Sequence, residues 1–144
     1  MIVEARGRDD GQQPPSREAA APVDERAAAG GALLCAACGF VVTHEAARID
    51  VDGAHAHVRT NPHGFTYEFG CFSEAPGAVP QGAPSMQATW FPGHFWWVRV
   101  CGGCQTHLGW LFFRPDSSTS SSDGGAFYAL ILARLRAAVY DSQR

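Results

Sequence analysis

Four of the five cysteines in the chain form two Cys-x-x-Cys pairs, a spacing that is typical of zinc knuckles. Cys35 and Cys38 lie in CAACGF, and Cys101 and Cys104 lie in CGGCQTH. Two intervening residues let both thiolates of a pair turn toward one ion, while backbone amides donate hydrogen bonds to the sulfur atoms. Two pairs complete a tetrahedral site of four protein ligands. We therefore predict one structural Zn²⁺ with no open position for catalysis.

The fifth cysteine, Cys71 in FGCFSE, is outside this pattern. It is either a buried thiol, which is the commoner case, or a nucleophile. The two pairs themselves have a second interpretation, as free or redox-active thiols. A thioredoxin-like domain would need a βαβ pattern, which this sequence lacks.

The four tryptophans form the second candidate site. Trp90, Trp96 and Trp97 fall in TWFPGHFWWVRV, and Trp110 follows in THLGWLFF. Side chains alternate along a strand, so Trp96 and Trp97 are expected on opposite faces. Indoles from separate segments either fill a core or line a pocket, and the residues alone leave both open. Residues 86–113 contain no Asp or Glu, so a pocket here favours a small neutral ligand over a cation.

Short strands separated by turns are expected to position these residues. FVVT, HAHVRT, FTYEFGCF, FWWVRV and WLFFR are rich in β-branched and aromatic residues, and DGAH, NPHG and FPG have the composition of turns. Near the C-terminus, AFYALILARLRAAVY has nearly helical apolar spacing, although FYALIL could equally complete the sheet as a strand. The sequence predicts a mostly β domain over residues 32–144.

The composition limits the remaining possibilities. Residues 1–31 lack an apolar run and predict a disordered leader, and DSSTSSSDGG predicts a flexible loop. The formal charge is -3 and no residue is lysine, which argues against nucleic-acid binding. No apolar run is long enough for a bilayer and no signal peptide is visible, so we expect a cytoplasmic protein without membrane contact.

Several motifs together resemble a known family, the CULT domain, which is the thalidomide-binding domain of cereblon and also occurs in stand-alone bacterial proteins. The matching segments are CAACGF, TNPHGFTYEFGCF, TWFPGHFWWVRVCGGCQTHLGWLFF and FYALILARL. The small size and arginine-only basic composition look more like the bacterial form. The resemblance implies a β-tent, in which two antiparallel sheets are pinned by the four-cysteine zinc. It also implies a non-catalytic cage for a neutral cyclic imide such as glutarimide, a thalidomide-type ligand, a uracil-like compound or a protein C-terminal cyclic imide.

The resemblance further assigns roles to individual residues. Trp90, Trp96 and Trp110 are expected to form the walls of the cage, and Phe112 is expected to form its base. The turn at Asn61 and Pro62, together with Tyr67, is expected to border the opening. The backbone around Ala88 and Trp90 is expected to form hydrogen bonds with the imide. The implied ligand-binding residues are Asn61, Pro62, Tyr67, Ala88, Thr89, Trp90, Trp96, Trp110 and Phe112. Trp97 is expected to be core packing. Animal relatives have histidine at the position of Ala88, so we expect imide binding weaker by about 0.5–1.5 kcal/mol from one lost hydrogen bond.

Two alternatives come from other classes of protein. Methionine sulfoxide reductases of the B type also combine two zinc knuckles with an aromatic pocket, and Cys71 would then be the nucleophile. However, those enzymes carry the nucleophile on a late strand, and no cysteine follows Cys104. The other alternative is a zinc module that binds a protein, for which the sequence identifies no partner.

Overall fold

The structure is a computed structural model that describes residues 31–115 and 125–138. The strands in this part of the chain are β1 Ala32–Cys35, β2 Val41–His44, β3 Arg48–Ile49, β4 Ala56–Thr60, β5 Thr66–Phe72, β6 Ala78–Pro80, β7 Phe95–Cys101, β8 His107–Phe113, β9 Ala126–Ile131 and β10 Leu135–Ala137. Single turns of 3-10 helix occupy Glu45–Ala47 and Leu132–Arg134. Apart from Gly31 and Gly125, the predicted leader and the predicted DSSTSSSDGG loop lie outside the described residues.

The strands form two antiparallel sheets. The small sheet has the order β10-β1-β2, and the large sheet has the order β3-β5-β9-β8-β7-β6, with β4 also paired to β5. Each of the five segments predicted as strands overlaps one, namely β2, β4, β5, β7 and β8. The prediction of a mostly β protein built on two antiparallel sheets is therefore confirmed.

The core has two parts. In the first, Leu33 and Val42 of the small sheet pack with Phe72, Leu108 and Leu130 of the large sheet. Burying a side chain of this size contributes about 1.5–3 kcal/mol, so this cluster holds the two sheets together. The second part is aromatic and belongs to the large sheet. Its members include Phe69, Phe91, Phe112 and Phe127, with Trp90 and Trp96 packed against them.

The helical interpretation of the C-terminal segment is wrong, and the alternative interpretation as a strand is confirmed. Ala126–Ile131 is β9, which lies between β5 and β8 in the large sheet. Five of its six residues are buried, because a central strand is covered on both faces. A strand of this kind gives a continuous apolar run instead of a period of two, and such a run is difficult to distinguish from a short helix.

Candidate metal centre and ligand cage

The four paired cysteines come together where the two sheets meet. Cys35 ends β1 of the small sheet and Cys101 ends β7 of the large sheet, and Cys38 and Cys104 follow in the next turns. All four Sγ atoms lie within 4.8 Å of one another. The cluster therefore connects the small sheet to the large one, as the prediction for the two pairs required.

The two turns have the same backbone geometry. The amide of Gly39 donates to the carbonyl of Cys35 at 2.8 Å, and the amide of Gln105 donates to the carbonyl of Cys101 at 2.8 Å. Gly39 and Gln105 both have positive φ, at 84° and 68°. In the second turn, the amide of Gly103 also donates to Cys101 Sγ at 3.2 Å. Such amide donors stabilise a thiolate that binds a metal.

The sulfur distances fit a metal site and exclude disulfides within the cluster. Cys35 Sγ and Cys104 Sγ are 3.7 Å apart, and Cys38 Sγ and Cys101 Sγ are 3.6 Å apart. A disulfide would bring the sulfur atoms to about 2 Å. A tetrahedral ion with metal–sulfur bonds of about 2.3 Å separates its ligands by about 3.8 Å. The donor set is therefore suited to one tetrahedral metal ion.

The thiols of this cluster differ in pKa. Burial raises the pKa of Cys38 to about 11, and burial also raises the pKa of Cys101. Burial acts in the same direction on Cys104, but hydrogen bonds from Thr106 and from the neighbouring thiols outweigh it and lower the pKa of Cys104 to about 7. Cys104 Sγ lies 3.0 Å from the Thr106 hydroxyl. A bound cation favours the thiolate form of every ligand.

A cavity of about 410 Å³ opens on the large sheet. Its walls come from β7, from β8, from the turn that follows β4 and from the loop that precedes β7. The lining residues are Asn61, Pro62, His63, Gln87, Ala88, Trp90, Trp96, Trp110 and Phe112. We call this arrangement the cage. It brings together seven of the nine residues that the sequence analysis assigned to ligand binding.

Strand register explains why three of these aromatic residues share one face. Trp96 on β7 is paired with Phe112 on β8, and Val98 is paired with Trp110. Because alternate residues of a strand point to the same side, Trp96 and Val98 face the same way as Trp110 and Phe112. Trp110 is only 8% exposed and Phe112 only 1% exposed, so both lie deep in the cage.

The glycine of the HLGW segment, Gly109, lies where β8 and β9 approach each other closely. A Cβ atom added at this position would overlap the carbonyl of Ala129 on the neighbouring β9. The close approach of β8 and β9 therefore requires glycine immediately before Trp110.

Trp97 points away from the cage, as expected, but it is not core packing. Its indole N–H donates to the carbonyl of Gly82 at 2.9 Å, and the guanidinium of Arg99 lies 4.8 Å from its ring centroid. The residue is half-buried and belongs to neither core cluster. The prediction of a core position is wrong because Trp97 packs against Arg99 and Phe113 on the opposite face of the sheet.

Two walls of the cage are held by hydrogen bonds to the backbone. Trp90 Nε1 donates to the carbonyl of Thr60 at 3.2 Å, and Trp96 Nε1 donates to the carbonyl of Gln87 at 2.8 Å. The indole of Trp90 is also stacked on Phe69, with centroids 5.6 Å apart and planes inclined by 8°. Since both indole N–H groups are engaged, these walls present apolar ring faces to the cavity.

The mouth of the cage consists of two constrained turns. In the first, Asn61 Oδ1 accepts hydrogen bonds from the amides of His63 at 3.0 Å and Phe65 at 2.9 Å. In the second, Ala88 adopts a φ of 58°, which is unusual for a residue with a side chain. The carbonyl of Ala88 and the amide of Trp90 form no hydrogen bond with another described residue. Both residues line the cavity, so these two backbone groups are candidate partners for a ligand.

Two residues assigned to the ligand site do not line the cavity. Tyr67 lies behind the walls, with its ring centroid 5.2 Å from that of Trp110 and 6.3 Å from that of Trp90. The hydroxyl of Thr89 is turned toward the backbone of Phe91, whose amide donates to it at 3.4 Å. Tyr67 therefore packs against the walls, and the Thr89 side chain is used within its own loop.

Sequence reasoning missed two lining residues, His63 and Gln87. Each is adjacent in sequence to a residue that was assigned, Pro62 or Ala88. The Asn61–Pro62 turn was expected at the cage border and the backbone of the loop before Trp90 was expected to bond the imide, and these expectations were the available signal. The orientation of their side chains depends on turn conformations that residue types alone do not specify.

No permanently charged side chain lines the cage. Its lining contains no carboxylate, lysine or arginine, and His63 is its one titratable side chain. Two arginines lie close to aromatic residues around it, Arg59 over the ring of Phe91 and Arg134 over the ring of Tyr67. Neither arginine lines the cavity. The arrangement can bind a flat neutral molecule between ring faces, and it offers no nucleophile paired with a base.

Cys71 is fully buried, with a relative exposure of 0%. Burial raises its pKa to about 12, and the negative charges of Asp52 and Asp50 act in the same direction. A thiol in this environment has neither the access nor the ionisation that a nucleophile needs. The structure therefore removes the basis for the reductase alternative that relied on Cys71.

Fold and site together define a β-sheet domain with a four-cysteine metal-binding cluster and an aromatic cavity suited to ligand binding. No model of a known protein family matches the chain. Among curated proteins, the chain is similar to "Protein cereblon" of Danio rerio and of Gallus gallus. Each match is 38% identical over 52 residues, which is 36% of this chain and 12% of the relative.

A longer match of 38% identity covers 80 residues of "Protein cereblon" from Drosophila persimilis, which is 53% of this chain and 12% of that protein. The chain thus spans about one eighth of the length of the curated relatives it matches. The resemblance to cereblon inferred from the motifs is confirmed over the matched segment. Among the described residues, no helix is long and apolar enough to span a membrane.

Proposed function

We propose that residues 32–144 form a non-catalytic receptor domain that binds a small neutral cyclic imide in the cage and one structural Zn²⁺ on the four cysteines. The observation that carries this proposal is the neutral cavity walled by Trp90, Trp96 and Trp110. Indole faces favour a flat ligand, and the carbonyl of Ala88 and amide of Trp90 favour a ligand edge with adjacent donor and acceptor groups. A cyclic imide has this combination.

The charge of the cage argues against other classes of ligand. A cation held by aromatic rings is normally accompanied by a carboxylate, and an anion normally needs arginine or lysine. Neither type of residue lines this cavity. An imide N–H donated to the carbonyl of Ala88, with an imide carbonyl accepting from Trp90, would satisfy both backbone groups without burying a charge.

The size of the cavity leaves room for more than one ring. About 410 Å³ is within the range of pockets that hold drug-sized ligands. Glutarimide, thalidomide-type compounds, uracil-like compounds and a C-terminal cyclic imide on a protein therefore all belong to the proposed ligand class. In each, the imide ring would enter the cage and the substituent would leave past the exposed side chains of Pro62, His63 and Gln87.

Zinc is proposed because the donor set consists of four cysteine sulfur atoms within 4.8 Å of one another, with two of the separations at 3.6 and 3.7 Å. Cys35, Cys38, Cys101 and Cys104 would all be ligands, which leaves no position for substrate. The chemistry that zinc supplies here is structural: it joins the end of β1 to the end of β7. A small core gains from such a link between its two sheets.

A calorimetric titration of the zinc-loaded protein with glutarimide tests the proposal. We expect saturable binding in the micromolar range with one site per chain, and loss of that binding in Trp96→Ala. Trp97→Ala is the matched control, because it removes the neighbouring indole from the opposite face of β7. A folded, zinc-loaded protein that shows no saturable binding would contradict the proposed function.

A further inference from the structure

Arg134 makes two contacts with His107, 27 residues away in the sequence. Arg134 lies in the 3-10 turn after β9, and its Nη1 atom donates to the carbonyl of His107 at 2.8 Å. The same nitrogen lies 3.4 Å from His107 Nδ1. One terminal nitrogen of a guanidinium carries two hydrogens, so it can serve both acceptors at once.

These contacts fix the tautomer of His107. A guanidinium nitrogen only donates, so Nδ1 of His107 must be an acceptor and Nε2 must carry the hydrogen. Nε2 then donates to the carbonyl of Gly109 at 3.1 Å. Burial lowers the pKa of His107, the bond to Gly109 raises it and the positive charge of Arg134 lowers it. The ring is therefore neutral in the arrangement that the hydrogen bonds require.

The pair lies against Trp110, one of the cage walls. The ring of His107 meets that of Trp110 edge to face, with centroids 5.0 Å apart and planes at 85°. Tyr67 contacts the same indole at 5.2 Å, and the guanidinium of Arg134 lies 5.9 Å from the ring of Tyr67. Trp110 thus has the cavity on one side and three mutually contacting side chains on the other.

Arg134 is also bonded to the first cysteine turn. Its carbonyl accepts a hydrogen bond of 2.9 Å from the amide of Ala36, which lies between Cys35 and Cys38. The backbone of Arg134 therefore contacts the turn that contributes two metal ligands, while its side chain contacts the support of Trp110.

We propose that His107 and Arg134 are a positioning pair for the cage: they hold the indole of Trp110 in place from behind and attach it to the first cysteine turn. The inference rests on the proposed ligand-binding function of the cage. Neither residue lines the cavity, so the pair acts on ligand affinity through the position of Trp110.

Two substitutions of His107 separate its two hydrogen bonds. His107→Asn retains an acceptor near the position of Nδ1 and loses the donor to Gly109. His107→Gln retains a donor near the position of Nε2 and loses the acceptor that faces Arg134. Arg134→Gln removes the guanidinium, and Arg136→Gln, on the exposed side of β10, is the matched control.

The measurements are the dissociation constant for glutarimide, the near-ultraviolet circular dichroism of the tryptophans, and the zinc content of each variant. We expect His107→Gln and Arg134→Gln to weaken binding by about tenfold, the effect of one lost charge-assisted hydrogen bond, and to change the tryptophan signal at full zinc content. Arg136→Gln should remain within about twofold of the parent protein, and His107→Asn should weaken binding less than His107→Gln, because it loses the ring against Trp110 but keeps an acceptor for Arg134. The double variant His107→Gln/Arg134→Gln should bind no more weakly than Arg134→Gln, because both changes remove the same contact.

Parental affinity and an unchanged tryptophan signal in Arg134→Gln would overturn the proposal. Loss of affinity only in proportion to lost zinc or lost folding would also overturn it, since the pair would then be a general structural contact. If the parent protein binds no glutarimide, the proposed function fails, but the tryptophan signal of the folded variants still decides whether the pair positions Trp110.

Discussion

The indole N–H of Trp96 donates a 2.8 Å hydrogen bond to the carbonyl of Gln87, which joins β7 to the loop at the mouth of the cage. This bond fixes the plane of the indole and occupies its only polar group. It also fixes the position of Gln87, whose neighbour Ala88 carries the carbonyl proposed to accept the imide N–H. This bond adds to the two backbone hydrogen bonds between Trp96 and Ser85, which join β7 to the same loop.

Substitution of Trp96 by phenylalanine should therefore weaken imide binding while leaving an aromatic wall. We expect a loss of about 0.5–1.5 kcal/mol in binding free energy, the usual value for one neutral hydrogen bond, plus the loss of ring area. Trp97→Phe removes a matching bond of 2.9 Å to Gly82 on the opposite face, and it should leave affinity unchanged. Equal effects of the two substitutions on calorimetric affinity would show that the bond to Gln87 has no special role in the cage.

Ala88 is the position at which a gain in affinity is expected. Ala88→His adds a side-chain donor at the mouth, and one additional hydrogen bond should raise glutarimide affinity by up to about tenfold. Ala88→Gly is the control, because it alters the residue without adding a polar group. If calorimetry gives the histidine and glycine variants the same affinity, the side chain at this position does not contact the ligand.

The glycine variant also tests the strain at Ala88. A left-handed backbone with φ of 58° costs a residue with a Cβ atom about 1 kcal/mol, which glycine avoids. We expect Ala88→Gly to keep or slightly raise the free energy of unfolding, and Ala88→Val to lower it because a β-branched residue is strongly disfavoured there. Chemical denaturation measures both. A valine variant as stable as the parent would show that this loop adopts another conformation in solution.

The metal prediction distinguishes the four paired cysteines from the fifth. Cys104→Ser should abolish stoichiometric zinc and lower the midpoint of thermal unfolding, because the link between β1 and β7 is lost. Cys71→Ser should keep one zinc per chain, since Cys71 is not part of the cluster. Native mass spectrometry measures the stoichiometry. Retention of zinc by Cys104→Ser, or its loss in Cys71→Ser, would show that the ligand set is wrong.

Cys71 should resist alkylation in the folded protein. With a pKa of about 12, roughly one thiol in ten thousand is ionised at pH 8, and the side chain is fully buried. Iodoacetamide should therefore modify Cys71 only after unfolding, which peptide mass spectrometry measures. Rapid modification of the native, zinc-loaded protein at this residue would contradict the burial and would restore interest in Cys71 as a nucleophile.

The same pKa predicts how stability depends on alkaline pH. The folded value of about 12 exceeds the ordinary value of 9.0, so the unfolded chain releases this proton first as pH rises. The contribution of Cys71 to stability is complete below about pH 9 and is lost between there and pH 12. The stability difference between the parent and Cys71→Ala should therefore shrink above pH 9. A constant difference from pH 8 to pH 11 would rule out a buried protonated thiol.

Features with local signals could be predicted from the sequence. The Cys-x-x-Cys spacing identified all four members of the metal cluster, and alternation along FWWVRV correctly placed Trp96 and Trp97 on opposite faces. Features that depend on distant contacts could not be predicted. Tyr67 was expected at the cage border, but its strand places it behind Trp110, and the pairing of Arg134 with His107 joins residues 27 positions apart.

Burial on both faces explains the other major error. The residues of β9 lose the alternation that identifies a strand, because one face packs in the aromatic cluster and the other packs in the cluster between the sheets. Gln87 and His63 were missed because turn geometry determines which side chains face the cavity. The left-handed conformation of Ala88 and the side-chain bonds of Asn61 have no signal in residue types that is sufficient to specify them.

The most direct test of the central claim compares three ligands by calorimetry on the zinc-loaded protein: glutarimide, N-methylglutarimide and δ-valerolactone. N-methylation removes the donor proposed for the carbonyl of Ala88, and the lactone has an ester oxygen in place of that N–H group. We predict saturable binding of glutarimide and affinity at least tenfold lower for the other two, since each leaves a polar group unpaired. Equal affinity for all three, or no binding of glutarimide, would contradict the assignment of the cage as a cyclic-imide receptor.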